Sequence, residues 1–175
     1  ISSTGTKAVG LTGIIDDEVR SNFPIGFSFT YNGASYTAFG LNANGWISMG
    51  SGNPVSSTTP LSGGTTNNVI SAFGRDLQGM NASLNSTLTA GSNTILTTNP
   101  AFFAVGDSVY ATAGFPATGG VVTAVSGNSV VTSVNATGAS TTAGLRRKGY
   151  IYYQTLGTAP NRTLVVEWDR FSRFG

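Results

Sequence analysis

The stretch at 24–50, PIGFSFTYNGASYTAFGLNANGWISMG, restricts what this chain can fold into more than any other. Phe27, Phe29 and Tyr31 alternate with Ser28 and Thr30. That period of two puts every second side chain on one face of a strand. Asn32-Gly33 follows at once, and both residues accept positive φ, so the pair favours a tight type I′ hairpin turn. The run at 35–41 then returns antiparallel, with Thr37, Phe39 and Leu41 on one face. Asn44-Gly45 supplies a second turn, and 46–49 resumes an extended run. The fold class expected is all-β, a β-sandwich of mainly antiparallel strands. Phe27, Phe29, Trp46 and Trp168 are expected in its core, with Phe29→Ala costing about 3–5 kcal/mol.

Composition supports strands over helices. Charged residues are 9% of the 175, against about 25% in ordinary soluble domains. Gly, Ser, Thr and Asn take their place, a mixture suited to short strands and turns and poor for helices. Hydrophobic residues at 39% still leave enough to build a core. Nine basic residues against seven acidic ones give a net charge of +2, and the one basic run is Arg146-Arg147-Lys148. That is too little for the row of phosphate contacts a nucleic-acid binder makes, so no nucleic-acid partner is expected. The run reads as a solvated junction. Cysteine and histidine are absent, which removes disulfides, thiol chemistry, the usual general base of Ser and Cys hydrolases and the ordinary ligands of zinc. No phosphate-binding glycine motif is present. No apolar run reaches the roughly 18 residues of a membrane helix, so no membrane span is expected. The chain is read as extracellular, and its start at Ile1 without Met as that of a processed or truncated product.

The texture changes between 84 and 143, where Asp107 is the single charge and Trp is absent. Candidate strands there are 94–98, 108–111, 120–126 and 129–133, the last two joined at Gly127-Asn128. The segment, with VGDSV and GFPATGGVVTAVSGNSVV, resembles a small all-β repeat of bacterial and phage surface proteins. It is read as an inserted small β domain at 84–143, leaving 1–83 and 144–175 as the parent sandwich. After it come strands at 150–155 and 163–169 around a turn at 157–161. Leu164, Val166 and Trp168 share one face of the second strand. The glycine- and serine-rich stretch at 50–68 reads as a loop.

Three pieces together carry a likeness: DDEV with FPIGFSFTYNGASYTAFGLNANGWISMG, then VISAFGRDLQG, then GYIYYQTLGTAPNRTLVVEWDRF. They resemble the nidogen-related β-sandwich domain of Bacteroidota surface proteins exported by the type IX secretion system, over 16–80 and 145–174. The resemblance implies a surface or adhesin-like role and carries no catalytic set. It also implies further strands after Phe174, so the parent sandwich is expected to be incomplete at its C-terminal end. The strand at 163–169 would then present an edge that a following segment or a neighbouring copy completes.

Candidate sites are few. Asp16, Asp17 and Glu18 form an acidic cluster with the hard oxygen donors calcium takes, and Asn42, Asn44 or Asp76 would add to it; no other cofactor is expected. Tyr36 and Trp46, with Tyr152, Tyr153 and Trp168, are the aromatics for a carbohydrate-binding platform. Asn81, Asn85, Asn135 and Asn161 begin N-glycan acceptor triplets, and Ser108 follows Asp107 in a pattern resembling the O-glycan site of Bacteroidota. No pair of carboxylates is set at a glycosidase spacing, so no enzyme activity is expected. The reading is a non-enzymatic extracellular structural or adhesive domain, part of an assembly or filament, whose partners are other copies, flanking domains or surface glycans. The alternative is a carbohydrate-binding accessory module of a secreted polysaccharide-degrading enzyme.

Overall fold

The computed structural model describes residues 4–8, 15–52, 54, 67–80 and 83–174. In chain order the strands are β1 (Thr6–Lys7), β2 (Val19–Tyr31), β3 (Ala34–Asn42), β4 (Trp46–Met49), β5 (Val69–Ser71), β6 (Leu77–Gln78), β7 (Leu84–Leu88) and β8 (Thr94–Thr97). They continue as β9 (Ser108–Ala111), β10 (Gly120–Ser126), β11 (Ser129–Thr132), β12 (Ser140–Arg147), β13 (Tyr150–Thr158), β14 (Asn161–Asp169) and β15 (Ser172–Arg173). A single 3-10 turn at Pro100–Phe102 is the only helical element among the described residues. The protein is all-β, and its sheets are antiparallel. Most of the 50–68 loop lies outside the described residues. The chain divides into two compact units, Ile1–Gly79 with Gly149–Gly175, and Met80–Lys148.

The first unit holds a four-stranded sheet, β2-β3-β4-β5, a three-stranded sheet, β1-β13-β14, and the short pair β15-β6. The hairpin at Asn32-Gly33 forms as its residue types require: φ is 49° and 77°, and Tyr31 pairs with Ala34 across it. Buried Phe23, Ile25, Phe39, Leu41 and Ile47 from the first sheet share one core with Ile151 of the second, which makes the unit a two-layer sandwich. Phe39 sits between the rings of Phe23, at 5.7 Å, and Tyr153, at 5.6 Å. Strand β2 is long enough to bend, with register shifts between Arg20 and Phe23 and between Pro24 and Phe29. Gly26 lies in the second shift at φ +83°, and a Cβ there would come within 2.9 Å of Thr155 Oγ1. The missing side chain lets β2 approach β13, where Thr155 donates to the Ile25 carbonyl.

Trp46 is fully buried, and all four residues of β4 are buried, so both faces of that strand are covered. Phe27, Phe29 and Trp168 are half-buried instead. They sit at the rim of the core, because the groove described below is open above them. Strands β13 and β14 run further than the turn composition suggests. They pair as far as Thr158 and Asn161, so the connection is Ala159-Pro160 alone.

The second unit is a closed barrel in the order β10-β11-β8-β7-β12-β9. Leu88, Ile95, Val109, Val122, Val130 and Leu145 fill its interior. Closure removes the edges that short polar strands would otherwise expose. The turn at Gly127-Asn128 connects Ser126 to Ser129, with Gly127 at φ 56°. The basic run is not a solvated junction. Arg146 and Arg147 belong to β12, and Lys148 is 9% exposed. Arg147 lies 3.3 Å from the Asp107 carboxylate and 4.6 Å from the Phe102 ring centroid. Asp107 also accepts the Ala104 N–H at 2.8 Å, so the barrel's one acid is spent inside it.

Candidate functional site

Strand β14 ends the three-stranded sheet, and among the described residues nothing pairs its far side. Antiparallel pairing makes successive residues face alternately toward and away from a neighbour. Ile151 gives its carbonyl to Ala8 of the β1 side, at 2.8 Å. Its partner on β14, Trp168, therefore turns its own backbone groups away from β13. Val166 and Leu164, two and four residues back, do the same. The side chains of these three residues pack against the sandwich core. One set of residues thus supplies both the free backbone edge and an apolar wall.

Beside that edge runs a groove of about 460 Å³. Its lining comes from Ile25, Phe27 and Phe29 on β2, Ile47 and Met49 on β4, Ile70 and Ala72 at β5, and Arg162 to Leu164, Val166 and Trp168 on β14. No lining residue belongs to β1 or β13, so the groove lies on the free side of β14. Trp168 closes one end: its indole N–H donates to the Asn42 carbonyl at 3.0 Å, and Phe73, 60% exposed, stands edge-on to it at 6.3 Å. At the other end Arg162 lies over the Phe27 ring at 5.2 Å and reaches the Gly26 carbonyl at 3.4 Å. Among the described residues of the lining, Arg162 is the one that carries a charge. The sequence marks Leu164, Val166 and Trp168 as one face, but nothing in it sets β14 against β4 and β5.

The acidic cluster assembles differently from its sequence pattern. Asp16, Asp17 and Asp76 bring carboxylate oxygens within 4.8 Å of one another, and Glu18 is not part of that group. Burial, then the charges of Asp17 and Asp76, raise the Asp16 pKa above its ordinary value. Asn44 does not add an oxygen: its amide N–H donates to Asp17 at 2.9 Å, while its oxygen accepts the Leu77 N–H at 2.7 Å. Asn42 Oδ1 accepts the Asn44 N–H at 2.7 Å. If each binds through both oxygens, three carboxylates supply six, the lower end of the six to eight that calcium takes.

Trp46 has no exposed surface on which a sugar could stack. It sits on β4, whose two faces are both covered. Tyr36 is half-buried against the sandwich core. The outer face of β13 and β14 carries Tyr150 and Tyr152 beside Asp169 and Glu167. Burial first, then those carboxylates and Tyr150, push the Tyr152 pKa up. The two rings are tilted by 65°, and Lys7 Nζ covers Tyr150 at 3.7 Å, so they form no flat platform. Of the glycan acceptors, Asn85, Asn135 and Asn161 are exposed and Ser108 is half-buried on β9. Asn81 lies outside the described residues.

The model of one protein family, NIDO related, matches residues 1–99. The chain belongs to the NIDO-related family. Domains of this family are typically extracellular, and none of the described helices is long and apolar enough to cross a membrane. The match runs from the first unit of this NIDO-related chain into β7 and β8 of the barrel. It does not include β13 and β14. No curated protein and no solved structure matches the chain.

Proposed function

We propose that this NIDO-related chain is a non-catalytic structural or adhesive domain of a secreted or cell-surface bacterial protein, exported by the type IX system of Bacteroidota. It works by contact, with other copies or flanking domains of the same protein as partners. The observation that carries the reading is family membership on an all-β sandwich. The Bacteroidota assignment is supported by the sequence idiom at 16–80 and 145–174. Surface glycans, the partner of the carbohydrate-binding alternative, are disfavoured by the buried Trp46 and the tilted Tyr150–Tyr152 pair.

The test is attachment. Beads coated with the purified chain should clump with one another, or hold to surfaces of the producing bacterium, beyond beads coated with an unrelated β-sandwich. Polysaccharide turnover by the chain, abolished by one Asp or Glu substitution and unaccompanied by attachment, would reverse the reading.

A further inference from the structure

We infer that the groove beside β14 is a receptor for one extended peptide strand. The strand runs antiparallel to β14, with apolar side chains at three alternate positions and a carboxylate after the last of them. The proposal rests on the reading of the domain as one that acts by contact, and it names the site and the ligand class.

Two features of the groove have to be satisfied by the same occupant. Its walls are apolar, drawn from Phe27, Phe29, Met49, Ile70 and Val166. Its rim is a row of backbone N–H and C=O groups, those of Leu164, Val166 and Trp168, which face away from β13. An apolar small molecule would cover those polar groups and leave them without partners, which opposes its binding. A peptide strand meets both demands, because strand addition pairs the backbone while alternate side chains fill pockets. The register follows. Leu164, Val166 and Trp168 would form the doubly hydrogen-bonded pairs. Side chains directly opposite one another lie on the same face of a sheet, so the three peptide residues opposite these point into the groove.

Charge places the carboxylate. Arg162 stands at the groove's far end, and among the described residues it meets a carbonyl and a ring but no carboxylate. In an antiparallel strand the position opposite Arg162 follows the three apolar ones, so the carboxylate belongs at the C-terminal end of the motif.

A folded second copy does not fit the same place. Two copies joined through β14 would be related by a two-fold axis normal to the sheet. Each copy has β4 and β5 flooring the space on the free side of its own β14. The two floors would then occupy the same volume. A single strand, with no second layer attached, avoids this.

The probe is a synthetic peptide with valine at three alternate positions, threonine between them and aspartate two places after the last valine, titrated against the whole chain by fluorescence polarisation. Binding is expected, with slowed amide exchange at Leu164, Val166 and Trp168. N-methylation of the valine amides should weaken it about tenfold or more, the scale of a lost hydrogen bond and a blocked approach. N-methylation of the threonine amides, which point away from β14, should leave it unchanged. Arg162→Gln should weaken the aspartate peptide and leave a peptide ending in asparagine unaffected. No binding overturns the proposal, as does equal sensitivity to both methylation patterns, which would mark a site for apolar ligands. Dimerisation of the chain through this edge also overturns it. Bead attachment without peptide binding rejects the groove and keeps the contact reading; peptide binding without attachment does the reverse.

Discussion

Phe39 and Phe29 provide a paired test of where the sandwich core ends and the groove begins. Both are aromatic, both lie in the first hairpin, and sequence pattern alone ranks them equally. Phe39 has no exposed surface and packs against the tilted ring of Phe23 and edge-on to Tyr153, so it joins the two sheets. Phe39→Ala removes a whole buried ring and leaves a cavity, costing about 3–5 kcal/mol. At roughly 4 °C per kcal/mol for a unit of about 100 residues, its melting step should fall by some 12–20 °C. Phe29 is half-buried, and one side of its ring faces the open groove. With about half of a full burial term of roughly 1.5–3 kcal/mol at stake, and little new cavity, Phe29→Ala should cost about 1–2 kcal/mol. That is a shift of about 4–8 °C. Differential scanning calorimetry, resolving the step of the sandwich from that of the barrel, measures both. Equal destabilisation by the two variants would refute the reasoning, because it would mean that the groove is closed core.

Three further outcomes are expected. Asp16 holds its proton more tightly folded than unfolded, so its ionisation lowers stability as pH rises from the unfolded to the folded pKa. The loss persists at neutral pH. Asp16→Asn should therefore stabilise the sandwich at pH 7 and not at pH 3, by about 0.5 kcal/mol or less because solvent screens the group, read as a higher melting temperature. Added calcium that stabilises the parent and not the variant would assign the cluster to the cation. Asp107→Asn removes the carboxylate 3.3 Å from the half-buried Arg147 and should destabilise the barrel by about 2–4 kcal/mol, read as loss of the barrel's melting step with the sandwich's step still resolved but at a lower temperature. Gly45 has φ +83°, and a Cβ there would lie 2.7 Å from the Phe73 side chain. Gly45→Ala should cost more than about 1 kcal/mol in the same calorimetric scan.

What the sequence discloses depends on how local the signal is. The turns at Asn32-Gly33 and Gly127-Asn128 are chosen by two residues each and form where their φ preferences put them. The alternation on β10 and β14 likewise fixes which side chains share a face. Two strands of the barrel, β7 and β12, were illegible for a physical reason. β7 and β12 fill the interior with small groups, buried Ser86 and Ala143 among Leu88 and Leu145, so their period-two signal is weak. Trp46 misleads because an exposed ring and a ring covered on both faces of a strand look the same in sequence. Asp76 joins Asp16 and Asp17 from some 60 residues away, and the groove needs β14 placed against β4 and β5. Both depend on topology that no local pattern encodes.

The barrel enters and leaves the chain at one point. Leu84 pairs with Leu145, Met80 with Lys148, and the Gly149 N–H donates to the Gly79 carbonyl at 2.7 Å. A folded barrel therefore presents its two ends already joined, and the sandwich treats it as a short turn. An unfolded one becomes a slack tether of about 70 residues, whose closure costs the sandwich roughly 4 kcal/mol of chain entropy. The two units are thus linked in stability through the chain: whatever melts the barrel adds this entropy cost to the folding of the sandwich.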